Sequence, residues 1–116
     1  MENFTDVKLE IFVPQEHALK IRDELAKIGV GIIGNYDHCV ALTPVQGYFR
    51  PMEGATPFEG DVGMISEVAE YKIEVNCKRE LVNKAIKVIK QFHPYEEPLI
   101  NIIPLANHLF VGKNNG

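Results

Sequence analysis

Twice along this chain a period-two alternation of apolar residues gives way to an apolar repeat of three and four, and that succession restricts the fold more than any other feature. Val7, Leu9, Ile11 and Val13 alternate with Lys8, Glu10 and Phe12, as in a strand with one face on a core. After Pro14, the residues Ala18, Ile21, Leu25 and Ile28 share one helical stripe, and Gly29 supplies the helix end. The glycine-rich stretch GVGIIGNYD then leads into a short strand, Cys39 to Thr43.

The pattern returns farther on. Tyr71, Ile73, Val75 and Cys77 alternate with Lys72, Glu74 and Asn76, and Leu81, Ala85, Val88 and Phe92 form a second helical stripe. His93-Pro94 stops that helix, because a residue preceding proline is pushed out of the helical region, and Leu99 to Ile103 supplies the last strand. Two strand-helix-strand halves predict an α+β, ferredoxin-like βαββαβ domain: a four-stranded antiparallel sheet with two helices on one face. A parallel sheet is the weaker alternative, since it would need helices on both faces. One domain over residues 1–105 and a C-terminal tail over 106–116 are expected. Residues 44–64 read as a long loop, of a length usually reserved for function.

Composition narrows the function classes. With 12 basic against 16 acidic residues and a net charge of −4, the chain lacks the basic surface that nucleic acid or an anionic membrane would require. No apolar run reaches the ~20 residues of a membrane span and the N-terminus does not read as a secretory signal, so a cytoplasmic location is expected. Cys39 and Cys77 sit far apart in apolar surroundings and are expected to be reduced, packed thiols.

Chemistry concentrates in two polar segments. In Gly34-Asn35-Tyr36-Asp37-His38-Cys39 the alternation of a strand should turn Asp37 and Cys39 away from His38, which argues against thiol catalysis. A hydrogen-bonded structural pair of His38 with a neighbouring carboxylate competes there with a binding role. In His93-Pro94-Tyr95-Glu96-Glu97-Pro98 two prolines make a rigid turn that carries an imidazole and two carboxylates. Arg50, in the long loop, either grips an anion or pairs with Glu53 or Glu59. The topology puts GNYDHC and HPYEEP at opposite ends of a subunit, with HPYEEP beside the long loop. A metal site from His38, His93, Glu96 and Glu97 would therefore form only across a subunit interface.

GNYDHC, GYFRPMEGATPFEGDVG and HPYEEP, in that order, resemble the PII/CutA-like domain inserted into the Nif-three-like (YqfO-type) proteins, over roughly Val7 to Leu105. The resemblance implies a PII-like fold, trimerisation, and an effector- or access-controlling role beside a metal-binding main domain. Nothing in these residues would build that main domain, so its hydrolase activity is not carried over.

The expected function is a stand-alone regulatory or binding module, a homo-oligomer with trimer favoured over dimer, holding a small-molecule effector or protein partner. Its binding residues would come from Tyr36, Asp37, His38, Arg50, His93, Tyr95, Glu96 and Glu97. The alternative is a CutA-like divalent-metal protein using Asp37, His38, His93 and the HPYEEP glutamates. An enzyme ranks third, because no nucleophile, base and orienting group assemble from one subunit.

Overall fold

A computed structural model of the chain describes residues 3–110. Strand β1 (Asp6–Pro14) runs through a short 3-10 turn into helix α1 (Ala18–Lys27). Strands β2 (Val40–Phe49) and β3 (Ser66–Lys78) follow, then helix α2 (Val82–Phe92) and strand β4 (Leu99–Pro104). The sheet order is β2-β3-β1-β4, and each pairing is antiparallel. This is the ferredoxin-like arrangement expected from the two half-repeats.

The core lies between one sheet face and the helices. Val7, Leu9, Ile11 and Val13 of β1 and Ile73, Val75 and Cys77 of β3 meet Ala18, Ile21 and Leu25 of α1. Helix α2 buries Ala85 and Ile89, with Leu81, Val88 and Phe92 flanking, so its inner stripe is centred on a residue outside the expected repeat. Helix α1 closes as its spacing predicts: Gly29 takes a φ of 88°, the Gly29 amide donates to the Ala26 carbonyl and the Val30 amide to that of Leu25. His93 is extended at φ −87°, ψ 133°, which ends α2 where the following proline requires.

The central connection is shorter than expected. Strand β2 does not stop at Thr43 but continues through Pro44 and Gly47 to Phe49, leaving residues 50–65 as the loop. Pro44 is tolerated because β2 is an edge strand, where a missing N–H need not break the ladder. Strand β1 reaches only the Pro14 to Glu70 pair, whereas β2 and β3 stay paired out to Phe49 and Ser66. A two-stranded arm therefore projects past the sheet and contributes to a long dimension of 51 Å. At the other terminus the tail makes a 3-10 turn at Asn107–Leu109, and residues 111–116 of the expected tail lie outside the described residues.

Both cysteines are free, but only Cys77 is buried. Cys39 is half-buried, because it precedes β2 on a turn instead of lying within the strand. Desolvation pushes the Cys77 thiol up to about 11. With a thiol reagent such as DTNB at neutral pH, one thiol, that of Cys39, is expected to react in the native protein and the second only on unfolding. Two fast thiols would contradict this packing.

Candidate binding cleft

The two polar segments do lie at opposite ends of the subunit, and they differ in what they build. At the first, Ile33 and Tyr36 exchange two backbone hydrogen bonds around Gly34 and Asn35, and the Cys39 amide donates to the Gly31 carbonyl. His38 adopts a left-handed φ of 59°, and strand geometry begins only at Val40. The expected divergence of Asp37 from His38 therefore does not hold. His38 Nδ1 lies 2.9 Å from Asp37 Oδ1, and Nε2 lies 3.7 Å from Asp23 Oδ1 on α1. Those contacts hold a backbone conformation that few non-glycine residues adopt. Tyr36 is largely exposed beside this turn.

At the second end HPYEEP is used more fully. His93 is buried, and both ring nitrogens are taken: Nε2 donates to the Phe12 carbonyl at 2.7 Å, and Nδ1 accepts from the Tyr95 amide at 3.1 Å. Burial holds its pKa below the ordinary value of 6.5. With no lone pair left over, the imidazole cannot ligate the metal expected of it unless this packing breaks. Among the described residues no three His, Cys, Asp or Glu side chains converge as metal ligands.

Glu96 likewise holds the structure in shape, since its Oε1 accepts the Thr56 amide at 3.0 Å and ties the 50–65 loop to the turn. Glu96→Ala is expected to raise the rate of proteolytic cleavage within residues 50–65 several-fold, about what losing a single hydrogen bond implies, while leaving the melting temperature nearly unchanged. An unchanged cleavage rate would show that the tether carries no weight.

Between loop and turn opens a cleft of about 520 Å³, within the range of small-molecule sites. Phe12, Val45, Gly47, Phe49, Glu70 and Leu99 contribute to it, all at register positions that face away from the helices, so its floor is the helix-free side of the sheet. Tyr95 packs against Phe49 at 5.9 Å and Phe58 at 6.3 Å between ring centroids, and Phe58 touches His17 edge-on. On the floor the Tyr95 hydroxyl donates to Glu70 Oε2 at 2.7 Å. Desolvation first, and Glu70 second, raise the Tyr95 pKa, so the phenol keeps its proton. Gly47 makes room for this pair: a Cβ there would meet Glu70 Cδ at 2.8 Å and one carboxylate oxygen closer still.

Arg50 lines the rim and is exposed. The expected pairing with Glu53 or Glu59 is absent, since no carboxylate among the described residues comes within ion-pair distance of its guanidinium. Glu97 lines the same cleft. Of the expected binding residues, Arg50, Tyr95, Glu96 and Glu97 are therefore brought together, while Tyr36, Asp37 and His38 stand apart and His93 lies behind the cleft wall. Glu70, Phe12, Gly47 and Phe58 join the cleft from outside the expected set. Glu70 falls on the polar side of a regular alternation, and nothing in that pattern marks a polar position that a distant turn will bury.

No protein-family model matches the chain. Curated relatives, each named GTP cyclohydrolase 1 type 2 homolog, are 41% identical over 100 residues in Halalkalibacterium halodurans and 36% identical over 98 residues in Bacillus subtilis. These matches cover 86% and 84% of this chain, which spans about a quarter of either relative's length, 27% and 26%. Among solved structures, a Bacillus cereus protein related to NIF3 matches with a TM-score of 0.78 at 36% identity, over 90% of this chain and 26% of that one. The divalent cation tolerance protein CutA from Archaeoglobus fulgidus matches with a TM-score of 0.65 at 22% identity, over 87% and 84% of the two chains, a likeness of fold.

Proposed function

We propose that this chain, a homologue of one segment of the NIF3-related proteins with a CutA-like fold, is a regulatory binding module whose cleft between the 50–65 loop and HPYEEP takes a small molecule. The observation that carries the reading is the construction of the cleft. Its aromatic walls enclose a glutamate that is only 7% exposed, a glycine is kept where any side chain would displace that glutamate, and the loop is tied down by Glu96. Apolar walls with a few fixed polar groups are what small-molecule recognition uses. In the longer relatives such a module would sense an effector beside the remaining three-quarters of the protein.

Assembly into a homo-oligomer, a trimer by preference, is part of the proposal. The helices cover one sheet face alone. On the other, Lys8 bridges Glu74 at 2.7 Å and Glu10 at 3.5 Å, and these side chains are only 18 to 31% exposed with no helix above them among the described residues. The part of the helix-free face around Lys8, away from the cleft floor at Phe12 and Glu70 and lying between the edge strands β2 and β4, suits packing against further copies. Light scattering at micromolar concentration is expected to give a multiple of the 13.1 kDa chain mass, and a monomer would remove this part.

Thermal-shift measurements against a panel of small amines, carboxylates and nucleosides test the binding reading. At least one class is expected to raise the melting temperature of the protein and to lose that effect in Gly47→Ala; no stabilisation by any class would count against it. Among the described residues no helix is long and apolar enough to cross a membrane. The divalent-cation reading would need ligands shared between copies, and metal analysis of the purified oligomer decides it.

A further inference from the structure

The cleft's charges are sorted by depth, and the sorting indicates a ligand class. Four glutamates and a single arginine line it, an acidic excess in a space whose walls are largely aromatic and aliphatic. The deepest of the five is Glu70, 7% exposed, while Arg50 and Glu59 are exposed at the rim. Glu70 Oε2 is occupied by the Tyr95 hydroxyl, while Oε1 has no hydrogen-bond donor and no Lys, Arg or His nitrogen within ion-pair distance among the described residues, and it keeps some contact with the solvent of the cleft. A buried carboxylate normally meets a cation or several donors, because removing its charge from water is otherwise costly. Here the space beside it is an open cleft.

The rings complete the pattern. Phe49, Tyr95 and Phe58 are packed in series with centroids 5.9 and 6.3 Å apart, and all three line the cleft that Glu70 floors. Aromatic faces attract a desolvated cation by their quadrupole and exclude water around it. An inorganic divalent ion would require a larger set of convergent oxygen ligands, which the described residues do not offer. An anion would meet the buried Glu70 carboxylate at the floor, the exposed Glu59, Glu96 and Glu97 being screened by water.

From this arrangement we infer that the cleft binds a small organic cation, a primary ammonium or guanidinium on an apolar or aromatic body, with its charged head on Glu70 Oε1 and its body against Phe49 and Phe58. The inference rests on the cleft being a ligand site and adds the chemistry of its occupant. Exposed Arg50 does not oppose this strongly, since its charge is screened by water at the rim. It would favour ligands whose outer end is neutral or anionic.

Calorimetric titration of the oligomer with phenethylamine, 2-phenylethanol and phenylacetate, three molecules of one shape and three charges, tests it. Phenethylamine is expected to bind at least about tenfold more tightly than the other two, the size of a charge-assisted hydrogen bond. Glu70→Gln keeps an acceptor for Tyr95 and should abolish most of that preference. Phe58→Leu, at an exposed position that leaves the fold intact, should weaken the amine more than the alcohol. Equal binding of the three probes, or a preference for phenylacetate that Arg50→Ala removes, would overturn the cation inference while leaving the cleft as a binding site. Absence of binding by all three at millimolar concentration would overturn the cleft reading and this inference together.

Discussion

His93→Leu should cost the domain about 2–4 kcal/mol, read as a lowered urea midpoint at an unchanged slope, because two backbone groups lose their partners at once. The imidazole joins the Phe12 carbonyl on β1 to the Tyr95 amide in the turn, at 2.7 and 3.1 Å, and is 6% exposed, so water cannot replace it cheaply. The same residue sets a pH dependence. Its folded pKa lies below the ordinary 6.5, chiefly through desolvation, so between those two values the unfolded chain binds the extra proton. The contribution is therefore complete above about 6.5 and is lost as pH falls through that value towards the folded pKa. His93→Gln should flatten this acidic slope. A Leu variant within about 0.5 kcal/mol of wild type would mean that the two contacts bear no load.

Gly47→Ala should cost about 1–3 kcal/mol and close the cleft to ligand. The added methyl must displace the Glu70 carboxylate, whose Cδ would sit 2.8 Å away, and the displaced carboxylate gives up the Tyr95 hydroxyl. Tyr95→Phe removes the same bond from the other side. The two substitutions should therefore be clearly non-additive, with the double variant losing less than the sum. Additive losses would show that Gly47 matters for the backbone of the arm and not for Glu70.

These two residues illustrate how unevenly the sequence disclosed the site. The succession of strands and helices follows from local periodicity, since Val7 to Val13 and Tyr71 to Cys77 alternate cleanly and Ala18, Ile21 and Leu25 repeat at helical spacing. His93-Pro94 and Gly29 punctuate the helices by backbone sterics alone, which are local. What escaped is set by pairing across long separations. Strand β2 holds Pro44 and Gly47 because β3 carries them, and no local signal distinguishes that from a loop. Glu70 becomes a cleft floor because Tyr95, 25 residues later, folds over it. His38 was legible as a carboxylate-paired histidine, but the left-handed φ that lets it reach Asp37 was not.

The division of labour between the two polar segments follows from the same geometry. In GNYDHC the His38 ring is taken up by Asp37 and by Asp23 of α1, whereas HPYEEP and the 50–65 loop use some polar groups to hold shape and leave others facing a cavity. The proposed ligand site accordingly lies at the end of the subunit where HPYEEP meets the 50–65 loop.

Amide chemical-shift mapping with phenethylamine on isotopically labelled protein tests that assignment most directly. The predicted result is a contiguous set of shifted amides around Gly47, Phe49, Phe58 and Tyr95, with those of Asn35 to Cys39 unmoved. Shifts centred on Asn35 to Cys39, or none near Gly47 and Tyr95, would contradict it.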